Sequence, residues 1–168
     1  METKIFTGGK CYIAIRSFDA AISTNFTKIM QGDFGSAHCT RYIFDLRNNP
    51  GGSLQEVLNI LNFIVPTGKS SAQVGSQQST TRYLSRPVSG TKITDKPMFF
   101  LINAGSASAS EIFVATAKEY APQAKIIGQK SYGKGTVQTM LSYPDGSLLK
   151  YTIAKRYTGK EKKNIDKV

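Results

Sequence analysis

The chain has 168 residues, 40% of them hydrophobic and 20% charged, with a formal net charge of +11, values ordinary for one globular domain with a substantial core. No run approaches the roughly 18 apolar residues of a membrane helix, and Met1–Lys4 precedes no apolar core of an export signal. The charge would suit an anionic partner. Seven of the 22 basic residues lie in Lys150–Lys167, however, and no aromatic-basic RNA-binding motif is present, so no nucleic-acid partner is expected.

The first third of the chain predicts a strand, a helix and a second strand. Lys10–Ile15 is a short apolar run typical of a buried strand. Apolar residues then recur at helical spacing at Ile22, Phe26, Ile29 and Met30. Ser17 or Asp19 can cap this helix. Tyr42–Leu46 is nearly continuously apolar, as in parallel strands covered on both faces, so the order predicts a βαβ unit.

A turn rich in Asn, Pro and Gly follows the second strand at Arg47–Gly52. Ser53 and Glu56 then form the S-x-x-E pattern of a capping box and open an amphipathic helix. Backbone N–H groups point outward at such a helix start, and ligand sites in open α/β sheets favour this end of a strand.

The segment from Pro66 to Pro97 is dominated by Ser, Thr, Gln and Gly. Ala72–Val74 and Thr81–Leu84 are short candidate strands within it. The pattern predicts a surface hairpin or flap.

Regular patterns return after Pro97. Met98–Ile102 predicts a strong strand, Ser108–Tyr120 a helix and Lys125–Gly128 a short strand. Thr136–Leu141 and Leu148–Tyr157 alternate around Pro144-Asp145-Gly146, which predicts a hairpin.

Two features of this second half can carry chemistry. Ser106, Ser108 and Ser110 lie at a strand-to-helix turn, where free backbone N–H groups and the positive end of the helix dipole are expected. Lys134 lies between Gly133 and Gly135. The loop is either a turn with an exposed lysine or a place where the two glycines let the backbone approach closely enough to bury the lysine side chain.

Other candidate groups are weaker. His38, the only histidine, lies in a loop beside Cys39, and adjacent residues do not face each other, so neither a Cys-His dyad nor a histidine base is expected. Cys11 and Cys39 are too few for a metal cluster, and whether they pair is open. No metal or cofactor is predicted.

Lysine can replace histidine as the base of a serine nucleophile. The amine must then be neutral, and since the ordinary pKa of lysine is about 10.4, a desolvated pocket is required. A phosphate-binding loop competes for the same lysine, because Gly128–Lys134 fits G-x-x-x-x-G-K. That loop continues with Ser or Thr and a helix, whereas here Gly135 and a strand pattern follow. The nucleotide-binding interpretation is therefore disfavoured.

Three blocks of sequence stand in a defined order: YIFDLRNNPGG at Tyr42–Gly52, GSASASEI at Gly105–Ile112 and YGKGTVQ at Tyr132–Gln138. Together they resemble the signature blocks of the carboxy-terminal processing peptidases, also called tail-specific proteases. The resemblance spans about Tyr12 to Tyr157.

The resemblance implies a serine endopeptidase with a Ser-Lys dyad on an α/β, crotonase-like core that has a mixed sheet and flanking helices. Its nucleophile matches Ser108, its general base Lys134 and its assisting glutamine Gln138. The oxyanion hole implied by the family uses a backbone N–H of Gly51 or Gly52 together with that of Ala109. No position is assigned to substrate binding.

The resemblance also bears on organisation and partners. Residues 1–168 are expected to form one peptidase core without the PDZ domain that family members carry, ending in a basic segment at about 158–168. Expected substrates are unfolded or apolar C-terminal segments of proteins, in an extracytoplasmic location such as the periplasm or cell envelope, without stable membrane insertion of this chain. The alternative is a catalytically silent peptide-binding core that needs a PDZ domain or partner chain.

Overall fold

A computed structural model describes residues 1–35, 38–75 and 79–158. Within these ranges the chain forms nine strands and three helices. The strands are β1 (Glu2–Phe6), β2 (Lys10–Ala14), β3 (Arg41–Asp45), β4 (Ser70–Gly75), β5 (Thr80–Leu84), β6 (Met98–Ile102), β7 (Lys125–Gly128), β8 (Thr136–Ser142) and β9 (Leu148–Thr158). The helices are α1 (Ile22–Gln31), α2 (Leu54–Leu61) and α3 (Ala109–Tyr120). None of the described helices has the length and hydropathy needed to cross a bilayer.

The strands form two sheets. The first has the order β1-β2-β3-β6-β7, in which only β1 is antiparallel to its neighbour, and the second has the order β5-β4-β9-β8 with antiparallel pairing throughout. The first sheet is therefore mixed, and the predicted mixed α/β fold is confirmed.

All three helices lie on one face of the first sheet. The parallel strands β2, β3, β6 and β7 lie side by side in the same order as in the chain. Right-handed crossovers between them therefore place each helix on the same side of the sheet. Residues on the other face, such as Ile43 and Phe99, are only half-buried. Cover on both faces, which the apolar run at Tyr42–Leu46 predicted, is thus not provided by the described part of the chain.

Helix α3 lies between the two sheets. Phe113 packs its ring against Phe44 and Phe100 of the first sheet. On the opposite side, Thr116 Oγ1 donates to the carbonyl of Ser71, and Tyr120 OH donates to that of Ser70, both in β4. Every residue from 109 to 117 is buried, so the helix is covered all round rather than along one stripe.

The structure corrects two predicted helix caps. Helix α1 is capped neither by Ser17 nor by Asp19, because its N-cap is Ala21, which makes no side-chain cap bond. At α2, Ser53 accepts the N–H of Glu56 as predicted, but the Glu56 carboxylate accepts the N–H of Ser23 in α1. A tertiary donor has replaced the local one, so the capping box is only half formed.

The segment predicted as a surface flap is part of the second sheet. β4 and β5 do form a hairpin, but β4 also pairs with β9, which begins more than 70 residues later. Ser71, Ala72 and Gln73 are consequently buried. The prediction of a hairpin was right, and its placement on the surface holds for the exposed strand β5 but is wrong for β4.

Cys11 and Cys39 form a disulfide, with their Cα atoms 5.6 Å apart. The bond ties the beginning of β2 to the segment before β3, and both residues are completely buried. It closes a loop with a sequence separation of 28 that contains α1. The bond therefore restricts the unfolded chain from β2 through α1 to the segment before β3.

Removing this disulfide is expected to lower the free energy of unfolding by about 3 to 4 kcal/mol, since the entropy of the unfolded loop is regained. Urea unfolding of the double variant Cys11→Ala/Cys39→Ala, compared with the oxidised wild type, measures the loss. As a control, dithiothreitol should shift the midpoint of the wild type and leave that of the double variant unchanged. Equal midpoints for the oxidised wild type and the double variant would contradict the assignment.

Candidate active site

The carboxyl ends of β3 and β6 meet at one edge of the first sheet, and the turns that follow them are joined by hydrogen bonds. Asn103 Oδ1 accepts the N–H of Asn48 at 2.9 Å, and Asn103 Nδ2 donates to Asn48 Oδ1 at 2.8 Å. The Ala107 N–H donates to the carbonyl of Asn49 at 2.9 Å. The Asn-Pro-Gly-Gly turn and the Ser-rich turn, separate in sequence, thus form one structure.

Ser108 occupies the sharpest point of the Ser-rich turn. Its backbone has φ 58° and ψ −112°, outside the regions that non-glycine residues usually adopt, at a cost of order 1–3 kcal/mol. It is also the N-cap of α3. A serine held in a strained strand-to-helix turn is the geometry of the nucleophile in α/β-hydrolases, which occur on a different fold.

The other two serines of the turn have structural partners. Ser106 Oγ donates to the carbonyl of Leu46 at 2.8 Å, and Ser110 Oγ donates to the carbonyl of Asn49 at 3.0 Å. Both side chains are buried. These bonds connect the Ser-rich turn to β3 and to the turn that follows β3. Of the three serines, Ser108 is the one whose backbone is strained.

The glycine turn touches the nucleophile candidate directly. A Cβ atom added to Gly51, whose φ is 103°, would lie 2.8 Å from Ser108 Cβ and 2.9 Å from the backbone nitrogen of Ala109. The Gly51 N–H already donates to Asn49 Oδ1 at 2.9 Å. The N–H groups of Gly52 and Ala109, by contrast, have no acceptor among the described residues. Of the two predicted glycines, Gly52 therefore has the available donor.

The loop that carries Lys134 is held against the Ser-rich turn. The Tyr132 N–H donates to the carbonyl of Ser106 at 2.9 Å. The backbone nitrogens of Lys134 and Ser108 both donate to Glu111 Oε2, at 2.9 and 2.7 Å. They can therefore be no further apart than the sum of these two distances. Lys134 itself is half-buried.

Other predicted residues lie elsewhere or lack a described side chain. Gln138 is in β8, where its backbone pairs with Thr152, but its side chain lies outside the described part of the structure, as does the basic end beyond Thr158. His38 precedes β3 and lies at the opposite end of the sheet from Ser108. Thr136 begins a strand, which removes the helix that a phosphate-binding loop requires.

An ion pair anchors the end of β3 just before the glycine turn. Asp45 is completely buried and accepts hydrogen bonds from Arg47 Nε at 2.9 Å, Arg47 Nη2 at 2.7 Å and Tyr12 OH at 2.7 Å. Hydrogen bonding to the Arg47 guanidinium holds the pKa of Asp45 at about 2, below its ordinary 3.8. The carboxylate therefore stabilises the fold in its charged form.

Because the pKa of Asp45 is lowered on folding, the charged carboxylate adds to the free energy of unfolding. This contribution is fully present above the pKa that Asp45 has in the unfolded chain, and it is lost as the pH falls towards 2. The contribution is at most about 2 kcal/mol, since the Arg47 side chain is half-exposed and screened by water. We expect the stability difference between wild type and Asp45→Asn, measured by urea unfolding, to shrink steadily from about pH 5 to about pH 2. A difference independent of pH would contradict this.

Sequence reasoning assigned no role to Glu111, which contacts both the Ser-rich turn and the loop that carries Lys134. A signal was present, because Ser108 and Glu111 have the same S-x-x-E spacing as Ser53 and Glu56. The structure forms the reciprocal capping box at Ser108, where it was not predicted, and only half of it at Ser53. Contacts of Glu111 with the loop at 131–134 have no local sequence signature.

Comparison with known proteins adds to this geometry. The family model "Peptidase family S41" matches residues 9–168. A "Probable CtpA-like serine protease" of Staphylococcus aureus strain N315 is 41% identical over 118 residues, which cover 70% of this chain and 24% of the relative. A protein of the same name from Staphylococcus epidermidis is 40% identical over 116 residues, covering 69% of this chain and 23% of that protein. The chain thus spans about a quarter of the length of these relatives.

Solved structures show the same fold. A photosystem II D1 C-terminal processing protease superposes with a TM-score of 0.72 at 25% identity, over 98% of this chain and 43% of that one. A lipoprotein from Streptococcus agalactiae superposes with a TM-score of 0.73 at 19% identity, over 97% and 60% of the two chains. The three sequence blocks, the fold and the family match agree: this chain belongs to peptidase family S41, as its resemblance to the carboxy-terminal processing peptidases implied.

Proposed function

We propose that this chain is the catalytic core of a serine endopeptidase in which Ser108 is the nucleophile and Lys134 the general base, on the crotonase-like core that the family resemblance implies. The observation that carries the proposal is the shared hydrogen-bond acceptor of the two residues, whose backbone nitrogens bind one carboxylate oxygen. Gln138 is proposed to assist Lys134.

In the proposed reaction, Ser108 Oγ attacks the scissile carbonyl carbon while the neutral amine of Lys134 takes the hydroxyl proton. The tetrahedral intermediate breaks its C–N bond, and the lysine ammonium returns the proton to the leaving amine. Water then attacks the acyl ester with Lys134 again accepting a proton, which releases the new carboxyl terminus and restores the Ser108 hydroxyl.

The oxyanion of the intermediate is proposed to bind the N–H groups of Gly52 and Ala109. The close approach of Gly51 to Ser108 Cβ supports this, since it holds the following Gly52 amide beside the nucleophile. The Ala109 amide is the first of α3 and therefore carries the positive end of the helix dipole. Donors held in advance around a developing negative charge are worth several kcal/mol of transition-state stabilisation.

Apolar segments of unfolded polypeptides are the proposed substrates. A cavity of about 340 Å³ beside the lysine loop supports this choice, because Ile102 and Ile126 supply apolar side chains to a lining that also contains Gly128, Gln129, Lys130 and Ser131. Ile102 and Ile126 lie on the same face of the sheet as α3, whose first turn carries the nucleophile. A PDZ domain or partner chain that delivers such tails is proposed for the full-length protein.

An extracytoplasmic location is proposed on a separate observation. The buried disulfide between Cys11 and Cys39 forms and persists in oxidising compartments, whereas cytosolic thiols are usually kept reduced.

Labelling with a biotinylated fluorophosphonate, followed by peptide mass spectrometry, tests the nucleophile, and cleavage of unfolded casein tests the activity. We expect Ser108 to be labelled in the wild type, and both labelling and cleavage to disappear in Ser108→Ala. Ser106→Ala and Ser110→Ala are matched controls that should keep the label. A label without cleavage would indicate a peptide-binding core that needs its delivery domain, and a label retained in Ser108→Ala would refute the assignment.

A further inference from the structure

The buried carboxylate of Glu111 binds four donors from two separate segments. Oε2 accepts the N–H of Ser108 at 2.7 Å and of Lys134 at 2.9 Å. Oε1 accepts the hydroxyl of Ser131 at 2.7 Å and the N–H of Gly133. Only 2% of the residue is exposed. An ionised carboxylate has about four acceptor positions, so its capacity is fully used.

This environment is unusual for an acidic residue. The two ion pairs within the described ranges are Arg16–Glu2 and Arg47–Asp45, so neither involves Glu111. Its charge is instead compensated by three backbone N–H groups, a hydroxyl and the dipole of α3. Backbone N–H groups cannot turn away or become acceptors, which makes this arrangement specific for a carboxylate.

An ordinary capping box would use only the bond to Ser108. The other three bonds reach the loop 131–134, which the chain enters 20 residues later and which carries the proposed base. Resting on the proposed function, we propose that Glu111 is a positioning residue of the peptidase: its carboxylate sets the lysine loop in register with the nucleophile turn, and so brings the base to the serine.

Glu111→Gln tests this, because the side chain keeps its size and one oxygen while the second oxygen becomes an N–H₂ group facing backbone donors. We expect kcat on unfolded casein or a fluorogenic peptide to fall about 10- to 100-fold with KM changed less than about 3-fold, as for a misplaced catalytic group. By amide hydrogen exchange, Gly133 and Lys134 should lose protection while the interior of α3 keeps it.

Glu56→Gln is the matched control, since Glu56 occupies the same position of an S-x-x-E pattern at α2, and its carboxylate accepts the N–H of Ser23 in α1. It is expected to leave kcat within about 2-fold. Ser131→Ala, which removes a single donor and is less disruptive, should lower kcat about 3- to 10-fold and decides the question if Glu111→Gln does not fold.

The exchange measurement does not depend on peptidase activity. If the wild type proves inactive while Glu111→Gln still lowers the exchange protection of the Gly133 and Lys134 amides, the proposed function fails and the coupling of the two segments stands. The positioning role is overturned if kcat is unchanged in Glu111→Gln and the amides of Gly133 and Lys134 stay protected. If Glu111→Gln does not fold, the same result in Ser131→Ala overturns it.

Discussion

Replacing Lys134 by Met is expected to lower kcat/KM on an unfolded protein substrate by about 10²- to 10⁴-fold, the usual contribution of a general base. In the proposed mechanism, the hydroxyl of Ser108 would then lose the amine that takes its proton. Because Lys134 is half-buried on a loop held by backbone bonds, the midpoint of thermal unfolding should change little.

Lys134→Arg separates the base from a purely electrostatic role. Arginine keeps the positive charge and a similar length, but it does not give up its proton in proteins. We therefore expect Lys134→Arg to lose as much activity as Lys134→Met. Lys125→Met, an exposed lysine at the start of β7, should retain wild-type cleavage. Recovery of activity in Lys134→Arg would exclude Lys134 as the base.

Replacing Phe44 by Ala is expected to lower the free energy of unfolding by about 3–5 kcal/mol, the usual cost of a buried phenylalanine. Phe44 is completely buried at the centre of the first sheet. Its ring lies 5.3 Å from the rings of Phe100 and Phe113, 6.1 Å from Tyr42 and 6.4 Å from Phe26. Truncation therefore leaves a cavity between β3 and the helices that position the active site.

Phe99→Ala is the matched control for this prediction. Phe99 lies on the neighbouring strand β6 but on the other face of the sheet, where it is only half-buried. Chemical denaturation should show a loss for Phe99→Ala of less than half that for Phe44→Ala, since less apolar surface returns to water. Equal losses would mean that the outer face is as well packed as the helix face.

Local patterns were sufficient for most of the elements. Strands β2, β3 and β6 and helix α3 were predicted within one or two residues, because apolar periodicity reflects which side of an element is buried. The hairpin of β8 and β9 was predicted from the turn around Pro144-Asp145-Gly146, where Gly146 has φ 84°. These features depend only on neighbouring residues.

Errors arose where a distant segment competed with a local one. The pattern of β4 is short and polar, and its burial follows from pairing with β9. The carboxylate of Glu56 accepts the N–H of Ser23 instead of capping its own helix. Ser23 lies too far from Ser53 in the sequence for a local pattern to indicate this bond. Whether Cys11 and Cys39 pair was likewise open until the first two parallel strands placed them side by side.

The order of residues alone determined the family, the strand-to-helix turn at Ser108 and the glycines around Lys134, because each of these depends on motifs a few residues long. Only the tertiary structure decided that Gly52 rather than Gly51 has an available N–H, and that Glu111 joins the two halves of the site. Hydrogen-bond partners are chosen by proximity in space, and proximity between segments 20 to 60 residues apart is a property of the folded chain.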